Sequence, residues 1–447
     1  MEFPGNRFTK TLRRAFLIGF IAIFLAISPL IIMYTAGYRY DWENGLLKEI
    51  GAISIDIIPK TAMVFINGQK IKDTMPIRLK NVTPGKYIIR LSATGHYDWQ
   101  KEISVKNKQT VYIKEVSLLK KTEPELLLAG NFSQLSLSTD GRYLLYTAIN
   151  NQSKKLILRD LDESRDTELL TIPAGRELEI IWSEKNNFAA VTDQNYPHQW
   201  LAIINAARPN LIWELTKETK TPIQKIQWRD TINPELYYST KTAIVSATPE
   251  NLVQTAIAKN TFLDWRMNNG QLWTIQLGTA KGQIRLVKDT LGFPENFSLL
   301  NGDLSSLNVN SWQILAVRDD IILLKKSEQT EMLIVTADKK FPVSGEKFTI
   351  SKYNNWWLIW TPWELWTYSK GEEPYLLNRS GEQLREVAPL DKYNTLALVW
   401  AKKTTALFPY YLVGHELIDH ETYALVADSE KRTLFFADQK GLWKLNY

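Results

Sequence analysis

Apolar residues fall into two regimes along this chain. The first is an unbroken run from Ala15 to Gly37, AFLIGFIAIFLAISPLIIMYTAG, which carries no charge. A helix needs roughly 20 apolar residues to cross a hydrocarbon core, so this run predicts one membrane-spanning helix. Past it the pattern shortens and changes period. GAISIDII from Gly51 alternates apolar and polar positions, as a half-buried strand does. From residue 121 onward one phrase recurs: a short apolar strand, an anchor residue, a polar turn, then a second apolar strand. Between Gly51 and Leu119 no segment carries a helical period. The pattern therefore predicts one helix followed by strands.

Arg7, Lys10, Arg13 and Arg14 precede the run, against a single acid at Glu2. The positive-inside tendency then places residues 1–14 in the cytoplasm and exports the chain beyond Gly37. A cleaved signal peptide is the rival reading. Its apolar core would be about 7–15 residues with small residues before the cut, whereas cleavage after Ala36 would put Tyr34 at −3. A spanning helix tolerates Pro29 when neighbouring turns or water satisfy the freed carbonyl. Tyr34, Tyr38, Tyr40 and Trp42 suit the outer interface, where amphipathic rings settle.

From Gly51 the turn chemistry is specific. Asn67-Gly68 is a tight-turn pair, and Thr83-Pro84-Gly85 is another turn. The order GAISIDIIPKTAMVFINGQ, MPIRLKNVTPGKYIIRLSATGHYDW and ISVKNKQTVYIKEVSL resembles a PEGA domain, a small β-sandwich of prokaryotic exported proteins. Pro59, Ala62, Val64, Asn67, Gly68, Pro76, Pro84, Gly85, Gly95 and Tyr97 carry the resemblance. Lys60 and Thr61 depart from the name-giving motif, and His96 is inserted between Gly95 and Tyr97. The resemblance implies an envelope module with no catalytic residue of its own.

The recurring phrase has anchors at Ser138, Trp182, Trp228, Trp265, Trp312, Ser351, Pro389 and Ala427. Their spacings of 44, 46, 37, 47, 39, 38 and 38 residues match the period of a β-propeller built from four-stranded blades. Eight anchors argue for eight blades, and the length also suits seven with longer loops. The last copy has only three strands, while PELLLAGNF at 124–132 is a strand without a unit. Pairing it into the last blade would close the ring and hide both edges. Ser138-Thr139-Asp140-Gly141 followed by Tyr143-Leu144-Leu145 resembles the repeats of Tol-type and WD40-like bacterial propellers.

Charge refines this organisation. The chain is formally +6, yet residues 51–120 hold twelve bases against five acids and residues 121–447 hold 36 against 39. Lysines near a membrane or an anionic wall polymer gain attraction; a solvated lysine-rich β-domain is the plainer reading. A slightly acidic, exported propeller argues against nucleic-acid partners. The chain has no cysteine, which excludes disulfides, thiolate metal sites and cysteine nucleophiles, and which in an exported protein fits a prokaryotic source.

Candidate chemistry is sparse. His415-Glu416-Leu417-Ile418-Asp419-His420 looks like the zinc phrase H-E-x-x-H with one residue too many. At i+5 the imidazoles point about 140° apart on a helix and to opposite faces on a strand. His96 and His198 are isolated, and Asp319-Asp320 reads as a turn. Tryptophan is the remaining anomaly. Trp356, Trp357, Trp360, Trp363 and Trp366 form a cluster that reads either as interblade packing or as a recognition patch, since flat aromatic faces stack on sugars and bury large areas against proteins.

The sequence thus predicts an all-β ectodomain behind one N-terminal transmembrane helix. Its parts are a cytoplasmic tail (1–14), the helix (15–37), a juxtamembrane linker (38–50), a PEGA-like sandwich (51–120) and a propeller (121–447). It reads as a cell-membrane protein that binds or scaffolds in the envelope, partnered by the membrane through residues 15–37 and by an envelope protein or wall polymer. No catalysis, metal or cofactor is expected. An extracytoplasmic propeller hydrolase acting on glycans or peptides, and a structural surface-layer component, are the alternatives.

Overall fold

The computed structural model describes residues 10–35, 38–41, 46–150, 152–193, 200–229, 231, 233–249, 253–259, 261–277, 284–290, 294–297, 312–326, 330–353 and 355–447. The chain divides into two compact units, 1–121 and 122–447.

In the first unit the apolar run is helical from Lys10 to Thr35, with Pro29 inside it. The stretch Leu12–Thr35 holds an 18-residue window with a mean hydropathy of 2.8 that buries nothing within the protein, so it is long and apolar enough to cross a membrane. The helix thus begins inside the segment expected to be a tail. The segment expected to be a linker holds a two-stranded ribbon, Tyr38–Asp41 against Leu46–Glu49. Arg39 ties the ribbon to the helix: its Nη1 donates to the carbonyls of Tyr34 and Tyr38, both at 2.8 Å. Its guanidinium also lies 3.6 Å over the Tyr34 ring. A cation there satisfies an orphan carbonyl and complements the negative end of the helix dipole.

Two sheets follow. One orders Ile77–Val82, Gly51–Ile58 and Thr110–Ser117; the other orders Gln69–Lys70, Met63–Ile66, Gly85–Ser92 and Trp99–Val105. Gly51–Ile58 buries every second residue, as its sequence alternation requires, sending Ile53, Ile55 and Ile57 into a core with Val64, Ile89, Leu91 and Trp99. Asn67 and Gly68 both take positive φ, and the Asn67 carboxamide accepts from the Ile88 amide at 2.8 Å.

The second unit is a β-propeller. Among the described residues it comprises eight four-stranded antiparallel sheets, which decides between the eight and seven blades the sequence allowed. The innermost strands of blades one to eight are Phe132–Leu137, Leu178–Trp182, Lys225–Trp228, Asp264–Asn268, Trp312–Arg318, Lys347–Ile350, Leu384–Pro389 and Ala424–Asp428. The eighth blade takes its outermost strand from the start of the unit: Glu125–Ala129 pairs with Gly441–Asn446. The strand left over in sequence therefore closes the ring, as expected. Gly441 makes this closure fit, because a Cβ there would lie 2.1 Å from the Leu128 carbonyl oxygen.

Apolar clusters fill the seams. Tyr143 and Leu145 pack with Val191 and Ile204 between blades one and two. Phe132 and Tyr146 pack with Phe435 and Leu442 between eight and one. Two of the anchor tryptophans are seam wedges that donate backward: Trp182 Nε1 to Ser136 Oγ at 3.0 Å and Trp228 Nε1 to the Ile181 carbonyl at 2.7 Å. Lys225 and Asp264, 2.8 Å apart, clasp blades three and four, and Asp264 also accepts from the Ile314 amide of blade five at 2.6 Å. Burial pushes the Lys225 ammonium below its usual value despite Asp264 beside it.

Candidate recognition face

Antiparallel order puts two kinds of turn on one face of the propeller: those joining first to second strands and those joining third to fourth. The other connections lie on the opposite face. On the first face, blades four to six line an open polar cavity of about 360 Å³ formed by Asn268, Asn269, Gln271, Lys288, Asp319, Asp320 and Lys370. The acid pair sits in the two-residue turn expected for it, with both residues in the left-handed region (φ 52° and 61°). Each carboxylate is engaged. Lys288 is 2.8 Å from Asp320 Oδ1, and Asn355 Nδ2 donates to Asp319 Oδ2 at 2.5 Å.

Asn355 leads directly into an aromatic strip. Trp356, beside it in sequence, packs on Tyr410 with ring centroids 5.3 Å apart. Asn394 Nδ2 donates to the Tyr410 hydroxyl at 3.1 Å. Around them Tyr353, Tyr375, Tyr410 and Leu412 expose 37, 41, 51 and 63% of their surface, while Trp356 is buried beneath. Burial, with Tyr410 and Glu372 nearby, pushes the Tyr375 phenol up, so it stays a neutral hydrogen-bonding group.

The turns carrying this strip are knitted together. Lys352 of blade six lies 3.1 Å from Glu430 of blade eight, and Tyr353 Oη shares a hydrogen bond of 2.9 Å with Ser429 Oγ. These contacts reach past the intervening turn of blade seven. There Asp391 is buried, its Oδ1 accepting from the Tyr393 and Thr395 amides at 2.9 and 3.1 Å. The buried Tyr447 hydroxyl donates to the Leu390 carbonyl of the same turn. The strip is thus presented by turns tied to one another by these contacts.

The five tryptophans of the sequence cluster divide differently. Trp357 packs at the seam with blade five, while Trp356 and Trp360 pack at the seam with blade seven. Alternation does send neighbouring rings to opposite faces of the strand, but each face is covered by a neighbouring blade. Trp366 is half-buried, its Nε1 donating to Glu364 Oε2 at 3.0 Å. Trp363 is 53% exposed in the turn between Trp357–Trp360 and Glu364–Tyr368, on the opposite face. A ring offered to a partner from this cluster is therefore that of Trp363.

His415 lies on the outer strand Val413–Ile418 of blade seven, with its ring edge-on to Phe408. His420 lies beyond that strand, with Nε2 3.1 Å from Asp438 Oδ2. Among the described residues no three His, Asp or Glu side chains are grouped to hold a metal ion. His96 Nδ1 sits 2.8 Å from the Thr94 carbonyl, and His198 lies outside the described residues.

Comparison with known families now bears on the first unit. Residues 50–118 are a PEGA domain. The match covers the sandwich and the turns that carry the sequence resemblance. No curated relative matches the chain. Solved propellers are similar in fold only. The propeller domain of Cps50 (Swd1) from Myceliophteria thermophila is 8% identical, with a TM-score of 0.45 over 73% of this chain and 99% of that one. The Dos1 propeller is 11% identical, with a TM-score of 0.47 over 73% and 94%. The WD40 repeats of RRP9 are 9% identical, with a TM-score of 0.41 over 72% and 97%.

Proposed function

We propose that this is a non-catalytic, single-pass envelope protein that uses the tyrosine-bearing propeller face to recognise a polyhydroxylated wall polymer. The carrying observation is the continuity of polar cavity and aromatic strip through Asn355 and Trp356. Sugar rings take flat aromatic faces on their C–H side and paired amides, carboxylates and ammonium groups on their hydroxyls. Such a strip, several residues long and shallow, suits a chain rather than a small molecule. Trp363 offers a separate contact on the opposite face.

The basic residues before the apolar run support an N-terminus inside and both β-units outside. Because the chain has no cysteine, a single Lys392→Cys variant reports this directly. Labelling by a membrane-impermeant maleimide in intact cells is expected; labelling only after permeabilisation would reverse the topology. Recognition is tested by co-sedimenting the full-length protein in micelles with insoluble wall polymer, where saturable retention is expected. Retention by the membrane-protein fraction alone would make the partner a protein. Release of soluble sugar, abolished by Asp319→Asn or Asp320→Asn, would replace the binding reading with a hydrolase.

A further inference from the structure

The PEGA domain carries its excess of lysine unevenly, and strand register shows where. Gly51 pairs with Val82, and Gly85 pairs with Val105. The Lys108 amide donates to the Ile50 carbonyl at 2.8 Å, and the Ala52 amide to that of Gln109 at 3.0 Å. Residues 48–52, 80–86 and 105–110 therefore form one end of the domain, which holds Lys48, Lys80, Lys86, Lys106 and Lys108. All five side chains belong to exposed residues. The acids near this end, Glu49 and Glu102, are ion-paired to Lys108 at 3.1 Å and Lys86 at 2.9 Å.

This is also the end from which the helix departs. Lys108 Nζ donates to the Tyr38 hydroxyl at 3.2 Å and lies 4.4 Å over its ring. Tyr38 is three residues past Thr35, a span of at most about 10 Å of extended chain. Arg39 shortens it further by reaching the Tyr34 carbonyl of the last helical turn. Lys108 is thereby tethered to that helix end, and attraction between its end of the domain and a headgroup layer acts over roughly a Debye length, about 8 Å at physiological salt.

We infer that the lysine-bearing end of the PEGA domain docks on anionic lipid headgroups of the leaflet from which the helix emerges. The inference rests on the helix being a membrane anchor. Charge complementarity selects the occupant: clustered juxtamembrane lysines are drawn to an anionic surface and not to a zwitterionic one. The Lys108–Tyr38–Glu49 latch fixes which end faces the bilayer, so the helix acts as a short stay and the lysines as feet.

The test uses the full chain in nanodiscs, with one cysteine introduced at the exposed Gln109 and labelled as an energy-transfer donor to headgroup-labelled lipid. Transfer should be higher with phosphatidylglycerol in the bilayer than with phosphatidylcholine alone, and the difference should vanish in high salt. In Lys48→Gln/Lys80→Gln/Lys86→Gln/Lys106→Gln, which leaves the Lys108 latch intact, the difference should also vanish. Each lysine removed should lower the docked-to-undocked ratio about fivefold. Equal transfer in both lipids, with the protein still co-eluting with the discs, would overturn docking and leave the anchor standing. Failure to co-elute with discs would overturn the anchor itself.

Discussion

The PEGA domain and the propeller are both built of strands, yet they present opposite kinds of surface. The sandwich gathers lysines at one end, next to the helix exit, where attraction is long-ranged and salt-dependent. The propeller gathers tyrosines and a leucine on one face, where binding would depend on buried area and fixed geometry. A covered hydrophobic core leaves the small domain free to vary its exterior, whereas each propeller blade is covered on two sides and offers its turns and its outermost strand. The placement of the turn residues on one face depends on the closed ring.

Disrupting the ring should separate the units most sharply. Asp264→Ala leaves the partly buried Lys225 ammonium with the Ile314 carbonyl at 3.2 Å, takes the acceptor from the Ile314 amide, and should cost about 1–3 kcal/mol. The propeller transition should fall in a thermal melt, while the sandwich transition, reported by hydrogen exchange of the Ile53–Ile57 amides, should not move. Gly441→Ala forces a Cβ against the Leu128 carbonyl and should cost about 1–3 kcal/mol. Its signature is proteolysis at 122–131 before any other site, since that strand is held by the closing pair.

Acid should weaken the ring next. Burial raises Asp160 and Asp438, but each is held below the usual carboxylate range. Arg142 and the Glu163 and Asp162 amides hold Asp160; Trp443 Nε1, the Gly441 and Lys440 amides and His420 hold Asp438. A lowered carboxylate contributes stability above its unfolded pKa, about 3.9, and loses it as pH falls through the folded value. Denaturant midpoints should be flat from neutral pH down to about 5 and should decline below about 4. Asp438→Asn should shallow that decline. The smallest stability effect belongs to the recognition strip: Tyr410→Ala should change the propeller midpoint by no more than about 0.5–1 kcal/mol.

Much of this architecture was legible because it is periodic. The spacing of Trp182, Trp228, Trp265 and Trp312 marked successive innermost strands, and the unmatched PELLLAGNF announced the closing strand. The helix and the PEGA turns were equally plain, since a long uncharged run and an Asn67-Gly68 pair have few other uses. The ribbon over 38–49 was missed because two four-residue strands are too short for a period to show. The recognition strip was hidden for a different reason. Tyr353, Tyr375, Tyr410 and Leu412 come from three turns of two blades, and only the assembled face brings them together. Trp357–Trp360 drew attention instead, since alternation on a strand implies an exposed side. In a propeller that side is the next blade, and all four residues of this strand are buried.

The proposed function assigns recognition to the tyrosine-bearing face and not to the tryptophan cluster. The most direct measurement is the affinity of full-length Tyr375→Ala/Tyr410→Ala for insoluble wall polymer, beside Trp363→Ala. At least a tenfold loss, about 1.4 kcal/mol, is expected for the tyrosine pair, with the propeller still folded and its stability lowered by no more than about 1–2 kcal/mol, and little change for Trp363→Ala. Wild-type retention by the tyrosine pair, or loss confined to Trp363→Ala, would contradict it.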